Sequence, residues 1–204
     1  MKKLLTYCAM ALSLAASPAL AEVKTGSAAP DFTATDSISG KTFSLADFKG
    51  KHVVLEWTNF GCPFVKKYYS KGDMQQLQHA AAKDGVVWIT INSSAKGMEG
   101  HLADDATAKQ ALTERKASPA HFVRDETGAI GKPYAAKTTP HMYVIDTKGT
   151  LVYQGAIDSK PSAAQSDIAN ATNYVSQALA ELKAGKPVSV PSTQPYGCSV
   201  KYAN

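Results

Sequence analysis

The residue of this sequence best equipped for chemistry at neutral pH is Cys62, because of what surrounds it. Glu56-Trp57-Thr58-Asn59-Phe60-Gly61-Cys62-Pro63-Phe64-Val65-Lys66-Lys67 reads as a buried strand that ends, turns through Asn59 and Gly61, and delivers the cysteine to the start of a helix. Pro63 suits the first helical turn, where its missing N–H costs nothing. A sulfur placed there meets free backbone N–H groups and the positive end of the helix dipole, which favour the thiolate, the reactive form of the side chain. Lys66, one helical turn on, would add to that effect. The chemistry implied is nucleophilic attack on a peroxide oxygen or a disulfide sulfur. The competing reading is a buried structural cysteine that packs as a small apolar side chain.

The other two cysteines, Cys8 and Cys198, differ in their expected fates. Met1 to Ala21 carries Lys2 and Lys3, an apolar run from Leu4 through Leu14, and then Ser17-Pro18-Ala19-Leu20-Ala21. That order of charged, apolar and small residues predicts a secretory signal peptide over residues 1–21, cut between Ala21 and Glu22. The run is shorter than the roughly 20 apolar residues a membrane span needs, and no later stretch is longer, so stable membrane insertion is not expected. Cys8 would leave with the signal. Cys62 and Cys198 would remain as an even pair in an oxidising secreted or periplasmic setting, where disulfides form and persist. Loss of Lys2 and Lys3 lowers the formal charge from +5 to +3. That small excess is scattered, with no basic cluster interleaved with aromatics, which speaks against nucleic acid.

The elements that must position these cysteines follow from periodicity. Residues 22–186 suit one domain, and 187–204 form a Pro/Ser/Thr-rich tail that carries Cys198. Asp31–Thr35 and Lys41–Ser44 flank Ser39-Gly40 as an N-terminal β-hairpin, and Leu45–Phe48 is a helical turn stopped by Gly50. His52–Trp57 and Val86–Ile91 are β-branched-rich runs of the kind that fill strands covered on both faces. The helix from Pro63 is expected to pause at Ser70-Lys71-Gly72 and restart at Asp73, with Gln76 completing a capping box, then end at Gly85. Ala103–Lys116 reads as a helix, His121–Asp125 as a short strand, and Gly128–Ala136 as a short helix or loop. Met142–Asp146 and Thr150–Gln154 form a hairpin, and a last long helix is expected over Ser162–Ala184. The fold class is therefore α/β, a central mixed β-sheet flanked by helices on both faces with an N-terminal hairpin extension. Functional residues of such sheets gather at the carboxyl ends of strands.

Cys62-Pro63 opening a helix after a buried strand, Thr139-Pro140 leading into Val144-Ile145-Asp146, and the hairpin around Lys148-Gly149 together resemble the thioredoxin superfamily. The likeness is greatest to its peroxiredoxin-like branch, the alkyl hydroperoxide reductase and thiol-specific antioxidant group. Trp57-Thr58-Asn59, Cys62 through Lys67, Ile91-Asn92-Ser93 and Gly197-Cys198-Ser199-Val200-Lys201-Tyr202 are similar to a group of secreted redoxins, and the resemblance runs from about Ala29 to Tyr202. It implies a thioredoxin-like fold and a thiol oxidoreductase with Cys62 as nucleophile. It also implies a cis Pro140 facing that cysteine, which would leave the Thr139 backbone free to pair with an extended substrate. Thr139, Pro140, Trp57 and Lys66 are the expected substrate-facing set, with Trp57 packing under the site. His141 would lie near Cys62, as a charge partner or a metal ligand. The tyrosines Tyr68-Tyr69 are expected to be half core and half surface.

Departures from the family patterns shape the expected cycle. Val65 stands where Cys-x-x-Cys proteins carry their second cysteine, so no local disulfide closes. Leu55 and Asn59 occupy the Pro and Thr positions of the Pro-x-x-x-Thr-x-x-Cys signature, and the arginine expected after Thr139 has no match. Peroxide and disulfide therefore both stand as substrates, with a thiol protein or small thiol as reductant. Cys198 is a resolving partner for a sulfenic acid on Cys62, or else one half of a permanent disulfide pinning the tail. No cofactor is expected, and no His-x-x-x-His or Cys-x-x-x-Cys pair suggests a metal. The alternative function is a non-catalytic thioredoxin-fold module whose structural disulfide supports binding of a partner protein or a metal.

Overall fold

A computed structural model describes residues 23–203. The expected signal peptide, its cleavage point at Ala21/Glu22 and Cys8 lie outside the described residues. The chain opens with the hairpin β1 (Thr33–Thr35) and β2 (Thr42–Ser44), passes a 3-10 turn at Leu45–Phe48 and enters β3 (Val53–Trp57). There follow α1 (Pro63–Tyr69), α2 (Asp73–Lys83), β4 (Val87–Asn92), α3 (Asp105–Glu114) and β5 (His121–Arg124). The two-residue β6 (Thr138–Thr139) precedes β7 (His141–Ile145) and β8 (Leu151–Gly155). A 3-10 turn at Gln165–Asn170, α4 (Tyr174–Lys183) and β9 (Cys198–Ser199) complete it. No described helix is long and apolar enough to cross a membrane.

Five strands form one mixed sheet in the order β5-β4-β3-β7-β8. β3 lies at its centre, parallel to β4 and antiparallel to β7, with Trp57 opposite Ile91 on one side and His141 on the other. Every residue of β3, β4 and β7 is buried, as continuous apolar runs require, whereas β8 at the edge alternates buried and half-buried. Period-2 geometry divides β3 between two cores: Val54 faces one, and Val53, Leu55 and Trp57 face the other.

All four α-helices of the described residues contribute their buried apolar residues to the Val54 side: Val65 and Tyr68 of α1, Met74 of α2, Ala108 and Leu112 of α3, Val175 of α4. The expectation of helices on both faces is thus corrected. The crossovers β3 to β4 and β4 to β5 step the same way across the sheet, and connections of a single hand then place their helices on one side. The opposite face is roofed by the N-terminal hairpin, the Leu45 turn, and Ile130, Tyr134 and Ala136 of the segment before β6.

Two helix boundaries also differ from expectation. α2 is capped by Gly72 in the left-handed region at φ 94°, and no side chain caps it, so the Asp73/Gln76 capping box does not form. The break that Gly72 permits sets the helix start one residue earlier than a side-chain cap at Asp73 would. The last helix is split: a 3-10 turn ends at Asn170, and α4 begins anew because the Asn173 side chain accepts the Ser176 N–H at 2.9 Å. A local Asn cap is favoured over a continuous helix wherever the backbone can bend to meet it. Here the bend is held by pairing of Asn173 with Asp158.

Candidate active site

The turn after β3 is built by Asn59. Its side-chain oxygen accepts the Gly61 N–H at 2.8 Å and its amide donates to the Glu99 carbonyl at 3.0 Å, while its own carbonyl accepts the Cys62 N–H at 2.9 Å. Cys62 is the N-cap of α1 with extended backbone, Pro63 is the first helical residue, and the Cys62 carbonyl accepts the Val65 and Lys66 amides. The side chain is 1 % exposed. Two buried carboxylates hold α1 to the rest of the fold. Tyr69 donates to Glu56 of β3 at 2.9 Å, and Glu56 also receives the Trp88 indole N–H at 2.8 Å and the Thr90 hydroxyl at 2.9 Å. Burial pushes the Glu56 carboxyl above its ordinary range against these donors. Tyr68 donates to Asp158 at 2.5 Å. Tyr68 and Tyr69 are therefore both core residues, and the half-surface expectation is corrected.

Across from Cys62 runs the Thr139–Pro140 segment, whose peptide bond is cis. The Cys62 thiol donates to the Thr139 carbonyl at 3.1 Å. The backbone of Thr139 was expected to be free, and it is not: β6 pairs antiparallel with β9, with Thr139 opposite Cys198 and Thr138 opposite Ser199. The tail occupies the edge that an extended substrate would use, and it sets Cys198 opposite Thr139, whose carbonyl Cys62 meets. Both thiols are free.

Their ionisation is pulled apart. Burial resists the charged form of Cys62 most strongly, yet the Cys198 thiol, the Val65 and Cys198 amides and the Thr139 hydroxyl together bring its pKa below the ordinary value. Burial pushes Cys198 up to about 12, joined by its hydrogen bond to Cys62, the Cys62 charge and the Glu99 carboxylate. Of the two, Cys62 is therefore the thiol that gives up its proton more readily.

The tail carrying Cys198 is pinned along its length. Thr193 N–H donates to the Gln154 carbonyl and Gln154 N–H to the Pro191 carbonyl, both at 3.1 Å, and the Thr193 hydroxyl meets the Tyr153 hydroxyl at 2.7 Å. Val200 N–H donates to the Lys137 carbonyl at 3.0 Å, and the Tyr202 hydroxyl donates to the Ala136 carbonyl at 3.0 Å. Gly197 has φ 141°, and a Cβ there would stand 2.2 Å from the Thr139 carbonyl oxygen. Gly197→Ala is therefore expected to unseat β9, by collision with backbone that cannot yield and by a strain of about 1–3 kcal/mol from a φ region nearly closed to other residues. Faster alkylation of Cys198 in the folded variant than in wild type is the check; an equal rate would show that the tail adapts.

Other expected site residues are placed elsewhere. Trp57 is fully buried on the opposite face of the sheet, its indole N–H on Ser93 at 3.1 Å and its ring against Tyr134 and Tyr143, so it packs rather than meets substrate. Lys66 is exposed and lines a cleft with Tyr69, Lys71, His79 and Arg115. His141 shares the Trp57 face. Its Nδ1 accepts the Lys137 N–H at 3.2 Å, and burial, then the Lys137 charge, lowers its pKa to about 3, so it stays neutral and apart from Cys62. No group of three or more His, Cys, Asp or Glu side chains able to hold a metal occurs among the described residues. Sequence reasoning missed Lys67, Asp158 and Tyr196, which meet in one buried cluster beneath the tail. Its only signal was the doublet Lys66-Lys67, of which the second member turns inward.

The sequence model of the Redoxin family matches residues 24–174. A chloroplastic peroxiredoxin Q of Triticum aestivum is 29 % identical over 148 residues, which is 65 % of this chain; the chain spans 58 % of that relative's length. Among solved structures, a hypothetical protein from Sinorhizobium meliloti superposes with TM-score 0.73 at 21 % identity, over 89 % of this chain and 96 % of that one. An uncharacterized conserved protein from Geobacillus kaustophilus gives 0.71 at 29 % identity, over 88 % and 93 %. The thioredoxin domain of a Bacteroides vulgatus thiol-disulfide oxidoreductase gives 0.53 at 22 % identity, over 73 % and 98 %. The last likeness carries the thioredoxin-like fold, and the family match covers the strand, the helix start and the cis-proline segment that surround Cys62: the chain belongs to the Redoxin family.

Proposed function

We propose that the protein is an exported thiol oxidoreductase that reduces a hydroperoxide or a disulfide with Cys62 and closes its cycle through an internal bond to Cys198. The observation that carries this reading is the meeting of both cysteines at Thr139, Cys62 through its thiol and Cys198 through strand pairing, with the Cys62 pKa lowered and that of Cys198 raised. With a hydroperoxide, the Cys62 thiolate attacks the terminal oxygen. An S–O bond forms, the O–O bond breaks, and the leaving alkoxide or hydroxide takes up a proton. The Cys198 sulfur then attacks the Cys62 sulfur; an S–S bond forms, the S–O bond breaks, and water departs with the Cys198 proton. Burial first, then the hydrogen bond to Cys62 and the Cys62 charge, keep Cys198 protonated; spending that charge lifts one of these restraints on the second step. A dithiol reductant restores both thiols by exchange. With a disulfide substrate, a mixed disulfide on Cys62 takes the place of the sulfenic acid. Export is supported by the charged, apolar and small-residue order of residues 1–21.

The test is to add one equivalent of hydrogen peroxide, or of a small disulfide, to the reduced protein and map the products by mass spectrometry. Formation of the Cys62–Cys198 bond with peroxide alone assigns a peroxidase, and with the disulfide alone an exchange enzyme. If neither oxidant yields that bond, the proposal is wrong. A second reading, a permanent staple, is favoured by the pinning of the whole tail. A reduction potential below about −300 mV for the bond would select it.

A further inference from the structure

We propose that Tyr196, Asp158 and Lys67 are positioning residues for the second redox step, holding Cys198 against Cys62 by tying the tail to the helix that Cys62 itself begins. This rests on the reading above, in which Cys198 closes a bond to an oxidised Cys62. The Asp158 carboxylate, just beyond β8, is fully enclosed, as is the Lys67 ammonium. Asp158 accepts Lys67 Nζ at 2.8 Å, the Tyr68 hydroxyl at 2.5 Å, the Tyr196 hydroxyl at 2.6 Å and the Lys160 N–H at 2.7 Å. Lys67 Nζ also donates to the Lys160 carbonyl at 3.0 Å and the Tyr196 hydroxyl at 3.2 Å. Tyr196 therefore touches both buried charges, and its ring stands edge-on to Phe64 of α1 with centroids 5.8 Å apart.

A buried ion pair is a poor device for stability, since apolar residues of similar volume often serve as well or better. What it does provide here is one fixed geometry. Lys67 lies in the helix opened by Cys62, and Tyr196 lies two residues before Cys198. The contacts close a circuit from one sulfur to the other: Cys62, α1, Lys67, Asp158, Tyr196, Gly197, Cys198. Strand pairing alone would hold the second thiol weakly, because β6 and β9 share only the pairs Thr138–Ser199 and Thr139–Cys198. Tyr196 supplies the upstream anchor and Tyr202 the downstream one. Each raises the local concentration of Cys198 at Cys62, which decides whether a sulfenic acid meets a thiol or a second peroxide.

Substitution of Asp158 or Lys67 endangers the fold, so the test uses Tyr196→Phe, which keeps the ring against Phe64 and removes only the hydroxyl. Reduced wild type and Tyr196→Phe are treated with the same excess of hydrogen peroxide. Mass spectrometry then measures the Cys62–Cys198 disulfide against Cys62 sulfinic acid, with near-ultraviolet circular dichroism reporting the folded state. The ratio of disulfide to sulfinic acid is expected to fall about tenfold or more, the order set by a hydrogen bond to a charged group. A native spectrum is expected alongside it, and a merely structural role would leave the partition of the folded protein unchanged. An unchanged ratio overturns the positioning proposal while the Cys198 reading stands. A wild type that forms no disulfide, and gives the same products as Cys198→Ser, overturns both.

Discussion

Serine in place of Cys62 is expected to lower both hydroperoxide consumption and disulfide exchange by at least roughly a thousandfold, because a hydroxyl supplies almost no nucleophilic anion at neutral pH. The expected loss is chemical, not structural. Serine still donates to the Thr139 carbonyl that the thiol meets at 3.1 Å, and it fits the space of the larger sulfur, so the melting temperature should stay near that of wild type. The check is initial-rate kinetics with a supplied dithiol, with thermal melts on the same samples; a Cys62→Ser protein that matches wild type in both assays sinks the assignment. The pH dependence has a definite sign. The thiolate is the reactive form and its pKa is lowered, so the rate should hold as pH falls below the value of about 8.5 typical of a free thiol, then drop as pH passes through the lowered value.

The largest effect on stability is expected at Asp158. Asp158→Ala leaves the Lys67 ammonium enclosed without its counter-charge, and removal of one partner of a buried pair typically costs about 3–5 kcal/mol. Three further donors, from Tyr68, Tyr196 and the Lys160 amide, lose their acceptor at the same time. Urea denaturation measures the loss, and a change under about 1 kcal/mol would show that water reaches the site and that the pair is not truly enclosed. The same group fixes an acid limit. Burial pushes the Asp158 carboxyl up, but Lys67, Tyr196 and Tyr68 outweigh burial and hold it below its ordinary value. Its contribution to stability is therefore complete above the usual carboxylate range and is lost as pH falls through the lowered folded value.

How far the site could be read from the sequence depended on whether a residue's role is local. Cys62 was legible because strand end, turn and helix start are consecutive in the chain, and Val65 showed by its position that no neighbouring thiol would serve. The sheet was legible because the runs at β3, β4 and β7 are unbroken. Spacing alone did not reveal direction. Lys66 and Lys67 differ by one step of about 100° around a helix, enough to send the first into an open cleft and the second into a buried ion pair. Trp57 adjoins the site in sequence, but strand alternation turns it to the far face of the sheet. Asp158 and Tyr196 lie in irregular segments 38 residues apart with no periodicity to betray them. The split before α4 escaped notice because an Asn173 cap competes with helix propensity only once pairing with Asp158 bends the chain.

The pairing of β6 with β9 also sets a timetable. Cys62 and Cys198 stand 136 positions apart in the chain, so at about 5–20 residues per second a ribosome makes the first roughly 7 to 27 seconds before the second. During that interval the nascent chain carries Cys62 but neither the β9 strand that pairs with Thr139 nor the Cys198 thiol. The thiol with the lowered pKa is thus the one synthesised first and uncovered, and any factor that shields young chains of this protein has that window in which to act.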